Sequence, residues 1–232
     1  MVNWRGTALR QAKFDLSTQE GTIVVNLALN RIRARSTTPT PALQKWLEAA
    51  FALVLGGVLG YLAKYFDGVP LLADLVTYMG LWILIGTVLA AWARSPRAAA
   101  LHVFLFFAAM LVVYYIYYMI LYGVFAGNYF IGWGILALAS PLGAYLTWYA
   151  RGEGWPAALC AAAPIGLLIN EGYRFLSGPS LTELFDLLAA LFLLFALTGK
   201  WSQRAKILPV ALAIFVILWK LHLVNLFYMA MF

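Results

Sequence analysis

Long apolar runs, separated by short polar joints, fill the chain from residue 42 onward. Each run has on the order of 20 residues, which at 1.5 Å per residue crosses a bilayer hydrocarbon core about 30 Å thick. The polar–apolar alternation of a membrane β-barrel is not visible. The pattern therefore predicts an all-α, polytopic transmembrane helix bundle of about seven spans. The predicted helices are roughly Ala42–Tyr65, Leu71–Ala93, Arg97–Tyr122, Tyr129–Ala150, Pro156–Leu176, Leu181–Thr198 and Lys206–Tyr228.

The composition strengthens the membrane assignment. Hydrophobic residues make up 64% of the 232-residue chain and charged residues 11%. A soluble domain has roughly 45–50% apolar and about 25% charged residues. A compact fold in water could not bury so much apolar surface. This excludes a cytosolic enzyme, a secreted disulfide scaffold and a disordered chain.

The first 41 residues differ from the rest and form a predicted basic tail, followed by the bundle over residues 42–232. Residues 1–45 carry seven lysines and arginines against only Asp15 and Glu20. Such a tail binds nucleic acid or anionic lipid, and its place before a membrane span favours lipid and argues against nucleic acid. Its short apolar repeats suit either helices lying on the cytoplasmic leaflet or an unstructured segment.

The orientation follows from the distribution of basic residues among the joints. Cytoplasmic joints carry an excess of lysine and arginine. Here the excess lies before the first run and in the second, fourth and sixth joints, which predicts a cytoplasmic N-terminus and an outer C-terminus. If the last two runs are a re-entrant pair, the C-terminus returns to the inside. Among the joints after the tail, the basic residues on the inner side are Arg94, Arg97, Arg151, Lys200, Arg204 and Lys206, against Lys64 and Arg174 on the outer side. Lys220 lies near the outer end of the seventh run.

Two lines of small residues predict close helix packing. Gly56 and Gly60 form a G-x-x-x-G pattern on the first helix, and Ala158, Ala162 and Gly166 share one face of the fifth. In lipid, small residues let helix backbones approach closely. Packing within the chain is favoured over binding of another subunit.

Ionisable residues gather toward the predicted outer side. Intramembrane ionisable groups are costly and tend to face a bundle interior or a watery cavity. We therefore expect an outward-opening polar pocket that binds a ligand. The alternative is that these groups reach into water at headgroup depth, some as simple ion pairs such as Glu171–Arg174. The candidate ligand-binding residues are Glu171, Arg174, Glu183, Asp186 and Lys220, with Asp74 and His222.

No chemistry beyond binding is predicted. His102 and His222 lie at opposite depths, so one metal ion cannot contact both, and Cys160 is the only cysteine. The chain has no G-x-S-x-G, H-E-x-x-H or P-loop motif. No catalytic residue, metal site or cofactor is therefore assigned, and a non-enzymatic role is favoured.

Two segments carry a resemblance to known proteins: residues 56–67, GGVLGYLAKYFD, and residues 148–155, WYARGEGW. From about Leu47 onward, the chain resembles small multi-pass bacterial inner-membrane proteins of an uncharacterised family. The resemblance implies an integral protein of the bacterial inner membrane. A looser similarity, to the substrate-capturing membrane subunits of energy-coupling-factor vitamin importers, implies an outward pocket. Those subunits typically have six spans, and the similarity lies in the small-residue face Ala49, Ala50, Ala52, Gly56, Gly57 and Gly60.

Three functions remain open for this membrane protein. The first is a transport-related protein or transporter subunit that binds a small solute, which predicts a water-filled outer cavity. The second is a non-catalytic subunit that packs against a partner membrane protein through its Gly/Ala faces, which predicts no cavity. The third is a membrane enzyme acting on a lipid, which predicts a lateral opening between helices near the polar cluster.

Overall fold

The computed structural model describes residues 29–34, 41–178 and 180–231, and all regular secondary structure in these residues is helical. Most of the predicted tail, residues 1–28 and 35–40, lies outside the described residues. Two single-turn 3-10 helices, Trp148–Arg151 and Tyr173–Leu176, follow α5 and α6. The α-helices are α1 (Ala42–Phe66), α2 (Pro70–Thr77), α3 (Met79–Trp92), α4 (Pro96–Tyr122), α5 (Gly127–Thr147), α6 (Gly154–Gly172), α7 (Leu181–Ala196), α8 (Trp201–Lys220) and α9 (Leu223–Met231).

Four of these helical segments are long and apolar enough to cross a membrane, counting only the described residues. They are α1, α4, α8 and the continuous stretch Gly127–Arg151, which joins α5 to the first 3-10 helix. The helix α3 is apolar but shorter. The described part of the chain is therefore all-helical, and its long apolar helices indicate a membrane-embedded protein.

Two predicted helices are interrupted. The expected helix Leu71–Ala93 breaks at Tyr78, whose backbone is extended, and the expected helix Lys206–Tyr228 breaks between α8 and α9 at His222, which has a φ of 49°. At the first break, the indole Nε1 of Trp82 donates a hydrogen bond to the carbonyl of Val76, 3.0 Å away. That carbonyl has no intrahelical partner once the helix ends, so Trp82 stabilises the break.

The helix α6 lies at the centre of the bundle. It packs mainly against α7 and α8, and Ala158, Ala162 and Leu168 are fully buried. A Cβ atom at Gly166 would come within 2.9 Å of the Ala211 carbonyl on α8. The predicted small-residue line of this helix therefore lies inside the chain's own core.

The G-x-x-x-G face of α1 lies against α4. A Cβ atom at Gly56 would overlap the backbone carbonyl of Phe106, and one at Gly60 would overlap that of Met110. Gly57 points elsewhere, and a Cβ there would be 3.5 Å from the Val113 side chain, an ordinary contact. The glycines at 56 and 60 thus allow two helix backbones to touch.

This geometry gives a matched pair of substitutions. We expect Gly56→Ala to lower the free energy of unfolding by about 1–3 kcal/mol, because the new methyl group displaces backbone rather than a flexible side chain. Gly57→Ala is expected to leave stability unchanged or raise it by up to about 1 kcal/mol, since alanine favours helix. Thermal unfolding in detergent compares the two variants. Equal effects of both would contradict the close contact.

Basic residues gather at one end of the bundle, where the described piece of the N-terminal tail also docks. We call this the basic end and define it by Arg33, Arg94, Arg151, Lys200 and Arg204. The acidic end, opposite, is defined by Asp67, Asp74, Glu171, Glu183 and Asp186. Arg94 pairs with Glu48, and Lys200 pairs with Glu153.

Arg33 fastens the tail segment to the bundle. Its Nη1 donates hydrogen bonds to the carbonyls of Ala91, at 2.9 Å, and Trp148, and its guanidinium lies 4.0 Å from the centre of the Trp148 ring. Burial, together with the charge of Arg151, lowers the pKa of Arg33 to about 10, so it remains charged at neutral pH. The backbone N–H of Glu153 also donates to the Ile32 carbonyl at 3.0 Å.

Candidate ligand-binding cavity

A cavity of about 310 Å³ opens at the acidic end. It is bordered by the C-terminal part of α2, the end of α6, the start of α7 and the α8–α9 junction. The structure brings six of the seven candidate residues to its wall: Asp74, Glu171, Arg174, Glu183, Asp186 and His222. Their role in binding remains a prediction.

Asp186 lies at the most enclosed part of the wall. It begins the buried stripe of α7, which continues through Ala189, Ala190 and Leu193. The side chain is only 2% exposed, and its Oδ1 has no hydrogen-bond partner among the described residues. A Cβ atom at Gly80, the second residue of α3, would overlap this carboxylate. The absence of a side chain at Gly80 therefore makes room for Asp186.

Glu183 lies one turn before Asp186 on the same face, as the three-residue spacing predicts. The Ser180 hydroxyl caps α7 by accepting a hydrogen bond from the Glu183 N–H at 3.3 Å. A carboxylate in the first turn also interacts favourably with the helix dipole. The cap fixes the backbone of Glu183, while its Oε2 is buried without a hydrogen-bond partner in the described part of the chain.

The remaining candidates stand nearer to solvent. Asp74, Arg174 and His222 are exposed, and Glu171 is partly buried. The Glu171–Arg174 ion pair of the alternative interpretation does not form: every ion pair between described residues lies elsewhere.

Lys220 does not line the cavity, contrary to expectation. It is exposed, and its ammonium group lies 5.1 Å from the ring centre of Trp219. Successive helical residues point about 100° apart, so the neighbouring Leu218 and Trp219 face the cavity while Lys220 turns away.

The sequence-based selection missed several cavity residues. Tyr78 reaches the wall only because the helix breaks there, and a continuous second helix gave no reason to select it. Asn170, next to Glu171, and Asn225, just after the α8–α9 junction, also line the cavity. Their polarity within apolar runs was the available signal.

A second, larger cavity of about 1090 Å³ runs beside the first, between α3, α4, α5 and α6. Its wall is mainly apolar, with Phe107, Trp133 and Leu167 among its side chains. Asp74 and Tyr78 line both cavities. These two residues therefore stand at the boundary between the polar cavity and an apolar groove that lies between the helices.

Where this groove reaches the acidic end, Lys64 forms a compact polar cluster. Its side chain is buried and pairs with Asp67. Its ammonium nitrogen lies 5.5, 4.8 and 4.9 Å from the ring centres of Tyr114, Tyr118 and Tyr122. The sequence placed Lys64 in an outer joint but did not indicate this enclosure.

Comparison with known proteins places the chain in a family. The sequence profile of DUF6518, a family of unknown function, matches residues 39–228. The chain belongs to this family. The expectation of an uncharacterised family is thus confirmed. No curated protein and no solved structure matches the chain, so the similarity to importer subunits gains no support.

Within this DUF6518 protein, the matched region contains every residue that lines the polar cavity. The docked segment at residues 29–34 lies before the matched region. The cavity is accordingly a feature of the part of the chain that the family shares, whereas the Arg33 contact lies outside it.

Proposed function

We propose that the protein binds a small polar solute in the cavity at the acidic end, as a transport-related membrane protein or as the solute-binding subunit of a transporter. The observation that carries the proposal is Asp186, a buried carboxylate that lines a cavity of about 310 Å³ and has no hydrogen-bond partner for its Oδ1 among the described residues. Burying a polar group without a partner is costly. Such groups concentrate at sites where a ligand supplies the partner.

In this proposal the chain crosses the bacterial inner membrane seven times. The four long apolar segments supply four crossings, and α2 with α3, α6 and α7 supply the others. The helix α6 needs little apolar outer surface, because other helices surround it. By the excess of lysine and arginine, the basic end and the N-terminus face the cytoplasm and the acidic end faces outward.

The orientation is tested by labelling single cysteines in intact cells. In a Cys160→Ser background, a membrane-impermeant thiol reagent is expected to label Ser177→Cys, which is exposed at the acidic end. Ser202→Cys, exposed at the basic end, is expected to react only after cell lysis. The opposite labelling pattern would place the cavity on the cytoplasmic side and would contradict binding of a solute from outside the cell.

Solute binding is tested by thermal unfolding of the purified protein with a panel of cationic, anionic and neutral small solutes. A ligand that binds only the folded state stabilises it by about 2.7 kcal/mol at a hundred times its Kd. We expect at least one class of solute to raise the unfolding temperature. If none does at millimolar concentration, the proposal is wrong.

A lipid-directed role is the second candidate, favoured by the apolar groove that shares Asp74 and Tyr78 with the polar cavity. This arrangement suits a ligand with a polar head and an apolar chain. Packing against a partner subunit through the Gly/Ala faces has less support. The faces of Gly56, Gly60 and Gly166 are covered by helices of the same chain.

A further inference from the structure

We propose that the inner part of the polar cavity binds an ammonium group, with Asp186 as its principal partner. This inference rests on the proposed solute binding and names the chemical class of the solute. It concerns the charge of the ligand, which the proposed function leaves open.

The charged groups around the cavity favour a cation. Four carboxylates line it, against Arg174 and His222, and both of these are exposed. None of the carboxylates forms an ion pair with another described residue, because all such pairs lie elsewhere. An anionic ligand would meet like charge, whereas an ammonium group would compensate it. The four carboxylates are those of Asp74, Glu171, Glu183 and Asp186.

The unpartnered atoms also favour a ligand that donates hydrogen bonds. Asp186 forms no hydrogen bond or ion pair with the described residues, and its Oδ1 is enclosed against Gly80 of α3. A ligand in the cavity would therefore meet the other edge of this carboxylate, since Asp186 lines the wall. An ionised carboxylate only accepts hydrogen bonds, and an ammonium group carries up to three donors and no acceptor. An ammonium group at this edge would supply the donor and the opposite charge that the described residues do not give to Asp186.

The geometry fits an organic cation better than a metal ion. Nowhere in the described ranges do three His, Cys, Asp or Glu side chains converge closely enough to hold a metal. The cavity, at about 310 Å³, has room for a small organic molecule. Tyr78, Tyr173 and Trp219 add aromatic rings to its wall, and aromatic faces attract ammonium groups.

The protein already uses this chemistry elsewhere at the acidic end. The ammonium group of Lys64 is held by a carboxylate, Asp67, and by the rings of Tyr114, Tyr118 and Tyr122. In the polar cavity, the carboxylates and aromatic rings are present, but none of the lysines that the structure describes lines it. A ligand ammonium group would supply what Lys64 supplies in its own cluster.

Two sources of the ammonium group are compatible with the structure. A soluble amine would enter the polar cavity alone. A lipid with an ammonium headgroup, such as phosphatidylethanolamine, would place its head there and a chain in the apolar groove, passing Asp74 and Tyr78. The chemistry at Asp186 is the same in both cases.

The test uses the full chain and three probes of similar shape: butylammonium, butanol and butyrate. We expect only butylammonium to raise the unfolding temperature in detergent, and we expect Asp186→Asn to weaken its apparent affinity at least tenfold. Glu153→Gln is the control, because this carboxylate is exposed at the basic end and pairs with Lys200. It is expected to bind butylammonium as the unchanged protein does.

A second arm distinguishes the source. The protein is reconstituted with phosphatidylethanolamine or with phosphatidylglycerol and examined by native mass spectrometry. Selective retention of phosphatidylethanolamine, lost in Asp186→Asn and displaced by butylammonium, indicates a lipid. Binding of butylammonium without such retention indicates a soluble amine. Both results support the assignment.

Two results would overturn it: equal binding of butylammonium and butyrate, or equal binding of butylammonium by the unchanged protein and Asp186→Asn. Binding of butanol or butyrate that persists in Asp186→Asn would leave the proposed solute binding intact while removing the ammonium assignment. If Asp186→Asn does not fold, Glu183→Gln takes its place with the same expected loss of affinity.

Discussion

Trp148→Ala is expected to lower the free energy of unfolding by about 3–5 kcal/mol, the usual cost of deleting a large buried aromatic side chain. Trp148 is 1% exposed, and its Nε1 donates a hydrogen bond of 2.7 Å to the Ala93 carbonyl. Its ring stacks edge-on against Tyr149, with centroids 5.0 Å apart, and lies under the Arg33 guanidinium. The substitution removes all of these contacts together.

Trp155→Ala is the matched control, because Trp155 lies just after the same joint but is 61% exposed. We expect its effect to stay within about 0.5 kcal/mol, as for most surface substitutions. Trp148→Phe separates packing from hydrogen bonding, because it keeps an aromatic ring but leaves the Ala93 carbonyl unpaired. We expect it to lower the free energy of unfolding by about 1–3 kcal/mol. Thermal unfolding in detergent measures all three. If Trp148→Ala lowers the free energy of unfolding no more than Trp155→Ala does, the stability of the basic end does not depend on Trp148.

Asp186→Asn is expected to act in the opposite direction and to raise the free energy of unfolding of the ligand-free protein by about 1–3 kcal/mol. The reason is the burial of an ionisable group with an unpartnered oxygen, which destabilises the folded state. Asparagine has nearly the same shape but carries no charge. Sites shaped for ligands commonly sacrifice stability in this way.

Asp74→Asn is the control for this prediction, because Asp74 lines the same cavity but is exposed. Its effect on unfolding is expected to be within about 0.5 kcal/mol. A marked loss of stability in Asp186→Asn, compared with Asp74→Asn, would mean that Asp186 serves the fold rather than a ligand.

Much of the helix pattern could be predicted from the sequence because its start and stop signals are local. The helix α4 begins where Ser95 caps the N–H of Ala98 at 3.1 Å and Pro96 occupies the first position. It ends at Gly123, which has a φ of 68° that glycine adopts without strain. The predicted helix Arg97–Tyr122 agrees with it to within a residue.

The break at Tyr78 could not be predicted in the same way. Hydropathy averages over the segment, whereas the break depends on Trp82 reaching back to the Val76 carbonyl and on Gly80 lying against Asp186 of another helix. The first contact joins residues on the two sides of the break, and the second joins residues that are far apart in the sequence. The same dependence on tertiary contacts affects the number of membrane crossings that can be derived from helix length. The helices α3 and α7 are shorter than the length that identifies a crossing by itself.

The candidate site was predictable in its composition and less so in its geometry. The three-residue spacing of Glu183 and Asp186 indicated a shared face, and both residues line the cavity. Lys220 was misplaced because a helix rotation of one residue decides which way a side chain points. The docking of Arg33 onto Trp148 joins residues 115 positions apart, and nothing in the local pattern indicates it.

The interruption of the second helix has a consequence for hydration. Main-chain groups freed within the hydrocarbon layer persist only where protein or water satisfies them, and lipid cannot do so. Trp82 satisfies one carbonyl at this point, and Tyr78 lies on the walls of both cavities. The surroundings of residues 76–80 must therefore be protein or water rather than lipid, which agrees with the place of Tyr78 on both cavity walls.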